Sequence, residues 1–185
     1  TWEETPNQIY GALGWSYGHS TTFDAESADF DRDGDIDIIQ ANGWLNDFSQ
    51  LEAHNMIWSN NGNGTFGNFN STGSEIASWA TWQANVTTDI ELADLDGDGD
   101  QDFVALISQH HETIVAFLND GSGGFRKETI FRATHPNWGA TGIQLVDMDG
   151  DGDLDILSSN GDSLDDLVPK PYHGIQWFEN SGSYP

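Results

Sequence analysis

The chain has 185 residues, of which 31 are acidic and only five are basic, so its formal net charge is −26 at pH 7. Binding to nucleic acid or to anionic membranes relies on Lys and Arg side chains that neutralise phosphates, and this charge balance excludes both classes of partner. Apolar residues make up 36% of the chain and aromatic residues 12%, which indicates a globular domain rather than a disordered acidic segment. No apolar stretch approaches the roughly 18 residues needed to cross a bilayer, so direct membrane insertion is not expected.

The first predicted elements are a strand at residues 22–28 and an acidic loop at residues 29–37. The loop has Asp at its positions 1, 3, 5, 7 and 9 and glycine at position 6. An apolar run at 36–39 follows, then a connector at 41–53 and a second apolar run that ends in a Gly-rich turn at 60–64. Short apolar and β-branched runs separated by Asn-Gly turns are typical of antiparallel strands. The segment therefore predicts the beginning of an antiparallel sheet.

The same order of elements returns twice further along the chain. Predicted strands at 88–93 and 141–146 lead into acidic loops at 94–102 and 147–155. The loops begin at residues 29, 94 and 147, so one repeat is about 50 to 65 residues long, which suits a four-stranded blade with variable connections. Each repeat predicts a strand, an acidic loop, a strand, a connector, a third strand, a Gly-rich turn and an outer strand.

The acidic loops carry the pattern of a cation site. Carboxylates at positions 1, 3, 5 and 9 surround the glycine, and position 7 offers its backbone carbonyl, so one tight turn can direct several oxygens at one point. Ca²⁺ prefers six to eight such ligands, whereas Mg²⁺ keeps more of its water. An EF-hand needs Glu at position 12, but the chain has Gln40, Ala105 and Ser158 there. A solvated acidic run explains one such loop but not three copies in register, so we expect three calcium loops within β-hairpins.

The three loops, together with the closing turns at residues 61–67 and 119–125, resemble the FG-GAP/VCBS repeats of integrin α-subunit propellers and of many secreted bacterial proteins. The resemblance covers nearly the whole chain. It implies an all-β fold of β-propeller blades, each a four-stranded antiparallel sheet, with the loop between the first and second strands holding Ca²⁺. The metal ligands that it implies, for about three Ca²⁺ ions, are Asp29, Asp31, Asp33, Asp35, Asp37, Asp94, Asp96, Asp98, Asp100, Asp102, Asp147, Asp149, Asp151, Asp153 and Asp155.

One domain over residues 1–185 is expected, with repeats at about 19–78, 86–134 and 139–185. The third repeat has no outer strand after its closing turn, and residues 1–18 offer a strand that would complete a blade of the same chain or of a neighbouring chain. Propellers have about 4–8 blades, and three blades alone leave unpaired edges. We therefore expect either a portion of a longer propeller or a module that associates with copies of itself.

No catalytic residue is predicted. The segment Gly-Trp-Ser-Tyr-Gly at 14–18 matches the nucleophile-elbow pattern around Ser16, but that motif requires a helix after the serine, and a strand-like run follows instead. The carboxylates do not single out a glycosidase pair, because nearly half of them lie in the acidic loops. We expect the protein not to be an enzyme.

A binding face is expected at the end of the blades opposite the acidic loops. The connections between the second and third strands and between blades emerge there, and they carry His and Trp residues suited to stacking on sugars or packing against a protein. The alternative is that Trp residues such as Trp58, Trp82 and Trp177 are core wedges between blades. The candidate ligand-binding residues are Trp15, His19, His54, Trp79, His111, His135, Trp138 and His173.

The expected calcium sites and the absence of Cys together suggest where the protein is located. Extracellular calcium modules bind the ion with dissociation constants of about 10⁻⁴–10⁻³ M, and a chain without Cys fits a secreted bacterial protein stabilised by metal. We expect a secreted or cell-surface module for adhesion or for recognition of a glycan or protein, with self-association possible. Two alternatives stay open: a structural subunit that polymerises by strand donation into a fibre or layer, and an accessory domain of a polysaccharide-degrading enzyme.

Overall fold

The computed structural model describes residues 20–44, 55–63, 66–68, 86–108, 111–135, 138–161 and 174–182. Within these ranges the chain forms β-strands and no helix, so the predicted all-β class is confirmed. The strands are β1 (Ser20–Ala28), β2 (Asp37–Trp44), β3 (Met56–Asn60), β4 (Phe66–Asn68), β5 (Val86–Ala93), β6 (Asp102–Ser108), β7 (Thr113–Asn119), β8 (Phe125–Arg132), β9 (Ala140–Val146), β10 (Asp155–Asn160) and β11 (Gly174–Phe178).

The strands form three separate antiparallel sheets, each paired in chain order. Strands β1–β4 make the first sheet, β5–β8 the second and β9–β11 the third, which has three strands among the described residues. An acidic loop joins the first two strands of every sheet. The sheets are therefore blades of the propeller type, as predicted. The proposed completing strand at residues 1–18 lies outside the described residues.

The hydrophobic cores lie between consecutive blades. Successive side chains of a strand point to opposite sides, so each blade has a forward face, toward the next blade in the chain, and a backward face, toward the preceding one. The forward face of the first blade packs on the backward face of the second in one core, and the second blade packs on the third in the same way. The first core contains Ala28, Phe30, Ile39, Ala41 and Ile57 against Ile90, Phe103, Ala105, Ile107, Val115, Phe117 and Phe125.

Backbone N–H groups that donate to aspartates also connect the inner strands of neighbouring blades. The register of β1 shifts between Thr22 and Asp24, and β5 shifts at the equivalent point before Asp89. A β-bulge re-aims the side chains next to it. Asp24 Oδ2 accepts the N–H of Ile90 at 2.9 Å, and Asp89 Oδ2 accepts the N–H of Ile143 at 2.7 Å. Each carboxylate thus joins one blade to the next.

The second strand of the first blade differs from the prediction at both ends. β2 begins at Asp37 rather than at the start of the predicted apolar run at 36–39, and it continues to Trp44, through residues of the predicted connector at 41–53. The connector predicted at 41–53 includes Asn42-Gly43, yet Gly43 pairs with Thr21 of β1. A Cβ on Gly43 would overlap the side chains of Val86 and Phe23, so glycine is present because the next blade approaches closely.

Candidate metal centres

The first aspartate of each acidic loop organises the turn. Asp29 Oδ1 accepts the N–H of Asp33 at 3.1 Å, and its Oδ2 accepts the N–H of Gly34 at 3.0 Å. Asp94 and Asp147 also accept the N–H of their position-6 glycine through Oδ2, while their Oδ1 accepts the N–H of the position-4 glycine, Gly97 or Gly150. The position-6 glycines have φ between 90° and 101°, a left-handed conformation that L residues rarely adopt. The loop is therefore wound around its first carboxylate.

This winding gathers carboxylates into three groups whose ligand oxygens lie within 4.8 Å of one another. Like charges at that separation repel strongly unless a cation lies between them. All the side-chain donors are carboxylate oxygens, which suit a hard cation. The residues present thus fit a metal ion in each loop. The groups are Asp29, Asp31 and Asp33; Asp94, Asp96 and Asp102; and Asp147, Asp149 and Asp151.

The ninth-position aspartates are buried beneath the loops. Asp37 and Asp102 are 0% exposed and Asp155 is 1% exposed. Asp102 Oδ2 accepts the N–H of Leu95 at 2.7 Å, and its Oδ1 accepts the N–H of Asn119 at 2.8 Å. The other two carboxylates make the same pair of bonds in their own blades. Each one connects the start of its loop to the end of the third strand.

An asparagine at the end of each third strand completes this network, and the sequence prediction missed it. The side-chain amide of Asn60 donates to the carbonyl of Ile36 at 3.0 Å, while its Oδ1 accepts the N–H of Gly62 at 3.1 Å. Asn119 and Asn180 make the equivalent bonds. The signal is present in the sequence, since all three repeats share Asn-x-Gly at this point, but the same pattern also predicts an ordinary hairpin turn.

The seventh-position aspartates point toward these closing turns. A Cβ on Gly62 would overlap the carboxylate of Asp35, and Gly121 and Gly182 face Asp100 and Asp153 in the same way. These glycines also have φ between 67° and 73°, a left-handed conformation that favours glycine, and this explains why the third residue of each Asn-x-Gly turn is glycine. The predicted ligands outside the three groups are Asp35, Asp37, Asp98, Asp100, Asp153 and Asp155, and their role as ligands stays a prediction.

Burial and hydrogen bonds together set the pKa values of the ninth-position carboxyls. Loss of solvent raises the pKa of Asp102 to about 6, although the N–H groups of Asn119 and Leu95 oppose this shift. The pKa of Asp37 is raised for the same reason. In Asp155 burial also acts to raise the pKa, but hydrogen bonds from Asn180, Met148 and the Trp177 side chain outweigh it, and the pKa is lowered. A bound cation would favour the charged form of all three carboxylates.

The first loop is attached directly to the second blade. Phe30 and Arg32 contact that blade, while Asp29, Asp31 and Asp33 form the candidate metal group. Phe30 is 0% exposed, and its carbonyl accepts the side-chain amide of Asn119 at 2.8 Å. Arg32, the one described non-glycine residue with positive φ (60°), forms an ion pair with Asp100, which is only 6% exposed. The equivalent positions of the other loops are glycines, so this ion pair is specific to the first two loops.

We expect Arg32→Gln to destabilise the protein by about 1–2 kcal/mol, because the carboxylate of Asp100 would remain buried without its counter-charge. The estimate is below that for a fully buried pair because Arg32 is half exposed. The measurement is urea unfolding in saturating calcium. Arg126→Gln is the matched control, since its ion pair with Glu128 spans 3.7 Å at the surface, and its effect should stay within about 0.5 kcal/mol. Equal losses in the two variants would contradict this assignment.

A second group of carboxyl side chains lies on β1 and β5, the inner strands of the first two blades. The pKa of Asp89 is raised by burial first, then by the negative charge of Asp24, whose carboxyl lies within hydrogen-bonding range. The pKa values of Glu26 and Glu91 are also raised by burial and by the neighbouring carboxylates. Because these pKa values rise on folding, the folded chain binds protons more tightly than the unfolded chain. The resulting stability penalty is present at neutral pH and shrinks as the pH falls through the raised pKa values.

Asp89→Asn is therefore expected to stabilise the protein at neutral pH by on the order of 1 kcal/mol, since the amide oxygen still accepts the N–H of Ile143 and the repulsion from Asp24, Glu26 and Glu91 is relieved. This gain in stability should disappear near the pH at which Asp89 and its neighbouring carboxyls become protonated in the wild-type protein. Melting temperatures in saturating calcium across this pH range provide the measurement. Asp120→Asn is the control with the opposite sign, because hydrogen bonds from Ser122 lower the pKa of Asp120. A gain that does not depend on pH would be inconsistent with this cause.

The structure places three of the candidate ligand-binding residues at one end of the blades. His111 precedes β7, and its Nδ1 lies 3.0 Å from the carbonyl of Ala133. His135 is exposed in the β8–β9 connection, where its carbonyl accepts the N–H of Trp138 at 3.3 Å. The strand order puts both connections opposite the acidic loops. The other candidates, Trp15, His19, His54, Trp79 and His173, lie outside the described residues.

Trp138 is only partly available to a ligand. Its indole N–H donates to Gln176 Oε1 at 3.1 Å, and its ring packs 5.3 Å from that of Phe131. Of the Trp residues considered as core wedges, Trp58 is half-buried and Trp177 is 48% exposed, so Trp177 is not a buried wedge within this chain. Trp82 lies outside the described residues.

A family model described as an FG-GAP-like repeat matches residues 29–105 and 94–158. The two matches overlap across the second acidic loop and together cover the three acidic loops. No curated protein matches the chain. Among the described residues there is no helix long and apolar enough to cross a membrane.

Proposed function

This chain belongs to the FG-GAP-like repeat family, and we propose that it is a non-catalytic, calcium-stabilised extracellular module for adhesion or for recognition of a glycan or protein. The observation that carries the proposal is the threefold repetition of one acidic centre between the first two strands of each blade. A repeated centre that connects the loop to the third strand serves stability. It leaves recognition to the connections at the other end of the blades.

The donor set supports calcium over other metals. Each centre offers several carboxylate oxygens, with neither Cys nor His among its side chains, and such a set favours a hard cation over zinc or copper. The flexible, oxygen-rich loop also suits a large coordination shell better than the strict octahedron of Mg²⁺. When bound, calcium supplies positive charge that offsets the repulsion among the carboxylates.

Extracellular location follows from the affinity expected of such loops. Dissociation constants of about 10⁻⁴–10⁻³ M would leave the loops empty at cytosolic calcium and filled outside the cell. FG-GAP repeats are typical of extracellular proteins, which agrees with this inference. The absence of Cys is compatible with a secreted chain stabilised by metal instead of disulfides.

The recognition face is assigned to the end of the blades that carries His111, His135 and Trp138. Imidazole and indole groups stack on sugar rings and pack on protein surfaces, and loops at the end of a rigid sheet commonly carry specificity. His135 is the most exposed of the three residues, whereas Trp138 presents only the part of its ring that does not contact Phe131. His135 is therefore the best residue for a test.

Binding of the calcium-loaded chain to a panel of neutral and acidic polysaccharides tests this function. We expect His135→Ala to weaken binding about tenfold, because an exposed side chain that contacts a ligand contributes about 1.4 kcal/mol. Lys127→Ala, an exposed change on the outer strand of the second blade, is the control. Release of cleaved sugar during the assay would contradict the non-catalytic assignment. If His135→Ala and Lys127→Ala both left binding unchanged, the proposed recognition face would be wrong.

One observation favours a second candidate, a structural subunit that donates or accepts a strand. Among the described residues β11 pairs only with β10, whereas β3 and β7 each have an outer neighbour. An edge of this kind presents unpaired backbone groups to a strand from elsewhere. Removal of residues 1–18 tests the donor that the sequence analysis suggested, and it should abolish any polymer that light scattering detects in calcium. A polymer that persists without those residues would exclude them as the donated strand.

A further inference from the structure

The forward face of the third blade is exposed where the forward faces of the first two blades are buried. The second position of the acidic loop shows this most directly. Phe30 of the first loop is 0% exposed and Leu95 of the second is 6% exposed, because each side chain inserts against the next blade. Met148 holds the same position in the third loop and is 47% exposed.

The third strand of the third blade shows the same difference in exposure. Ile175 of β11 is 73% exposed, whereas Ile114, its register equivalent in β7, is 1% exposed. Trp177 is 48% exposed, while its equivalents Ala116 and Ile57 are 0% and 3% exposed. Met148, Ile175 and Trp177 therefore form one apolar patch, and each residue stands where an inter-blade core residue stands in the other blades.

The first blade has the complementary half of such an interface. Ile36, on its backward side, is 54% exposed, and its equivalent Leu154 packs into the core between the second and third blades. Trp58 and Phe66 are half-buried, while Phe117 and Phe125, their equivalents in the second blade, belong to the core between the first and second blades. The chain thus carries an uncovered forward face at one end and an uncovered backward face at the other.

We propose that a second copy of this chain covers the patch, with the backward face of its first blade packed on the forward face of the third blade. The same face-to-face contact occurs twice within the chain, which is the reason for choosing this occupant. Two copies joined at both ends would give six blades, within the range of about 4–8 in which propellers close. The proposal goes beyond the recognition function and rests on the calcium-stabilised fold only in requiring folded blades.

The new contact would differ from the internal ones in one respect. Asp24 and Asp89 each accept an N–H from the inner strand of the next blade, but the third blade has Gly142 at this position. The N–H of Ala25, which would face it, instead donates to Asp24 Oδ1 at 2.8 Å. The contact between copies therefore depends on apolar burial, and it needs calcium and moderate salt to offset the net charge of the two chains.

The first experiment measures the mass of the native particle by light scattering and sedimentation in saturating calcium. We expect a mass of about twice that of the 20.3 kDa chain. Ile175→Glu should weaken the association by about tenfold or more, because it places a charge in the apolar contact. Thr129→Glu adds the same charge at an exposed position of β8, within the second blade, and should leave the mass unchanged.

A second experiment fixes the orientation of the two copies. The rings of Phe30 and Phe125 are 5.9 Å apart between the first two blades, and Met148 and Phe66 are their equivalents on the two uncovered faces. The chain has no Cys, so Met148→Cys and Phe66→Cys each introduce a single thiol. We expect a disulfide-linked dimer when the two variants are mixed under oxidation, and little when each is oxidised alone.

The outcomes separate this proposal from the others. A folded particle with the mass of one chain, or cross-links that form equally within each single variant, would overturn head-to-tail docking. An association that is lost on removal of residues 1–18 but survives Ile175→Glu would assign the contact to strand donation instead. The melting temperature is measured in the same samples with and without calcium. A melting temperature that rises with calcium shows that the calcium-stabilised fold is correct, even if the particle has the mass of a single chain.

Discussion

Chelation of calcium with excess EDTA is expected to unfold the protein or to lower its melting temperature greatly. At calcium a hundredfold above the dissociation constant, each independent site adds about 2.7 kcal/mol to the free energy of unfolding. Three such sites supply about 8 kcal/mol, which is comparable to the whole stability of an ordinary domain, about 5–15 kcal/mol. Without the ion, the grouped carboxylates of each loop also repel one another. The measurement is thermal unfolding followed by circular dichroism with and without EDTA.

Single-loop variants show whether all three centres contribute. Asp31→Asn, Asp96→Asn and Asp149→Asn each remove one carboxylate from one group and should each lower the melting temperature in calcium. Asp120→Asn removes an exposed carboxylate outside the groups and should have little effect on calcium affinity. Readdition of calcium should restore the fold more effectively than readdition of magnesium. A melting temperature that EDTA leaves unchanged would refute a structural role for the cation.

Asp102→Ala is expected to be the most destabilising single substitution at the centres. The carboxylate of Asp102 is fully buried and accepts the N–H groups of Leu95 and Asn119. Truncation leaves both donors buried without a partner, at a cost of about 1–3 kcal/mol each, and also removes an oxygen from the second cation group. We expect a loss of about 2–6 kcal/mol beyond the loss of calcium affinity. The measurement is urea unfolding in saturating calcium.

A comparison with Asp96→Ala separates the role of Asp102 as a hydrogen-bond acceptor from its role in the cation group. Asp96 belongs to the same group but is exposed, so its removal should affect calcium affinity and little else. The stability of the Asp96→Ala variant should approach that of the wild type as calcium is raised, because mass action compensates for weaker binding. The Asp102→Ala deficit should persist at any calcium concentration. If high calcium rescued both variants equally, the hydrogen bonds of Asp102 would not carry the stability assigned to them.

The repeat architecture was predictable because its signals are local. Each acidic loop is a short turn in which the position-6 glycine adopts a positive φ and donates its N–H to the first aspartate, so the conformation of the loop is set by residues close in sequence. The alternation of apolar runs with Gly-rich turns likewise reports strand pairing between neighbours in sequence. These features need no knowledge of distant residues.

Contacts between blades were not predictable in this way. The sequence predicts Gly43 as part of a connector, and only the close approach of Val86 from the next blade explains why a glycine occupies this strand position. Asp24 and Asp89 looked like ordinary strand residues, but a bulge turns them toward the neighbouring blade. No residue near Arg32 in the sequence indicates its ion-pair partner, because Asp100 lies 68 positions further along the chain.

The amino-acid sequence by itself determined the all-β class, the three repeats and the three acidic loops, because short-range turn geometry and strand periodicity encode them. Only the tertiary structure decided which carboxylates converge, which are buried under the loops, and which apolar residues are left uncovered on the third blade. Those properties depend on how one blade packs on the next. That packing brings together residues far apart in the chain, and each local segment is compatible with several such arrangements.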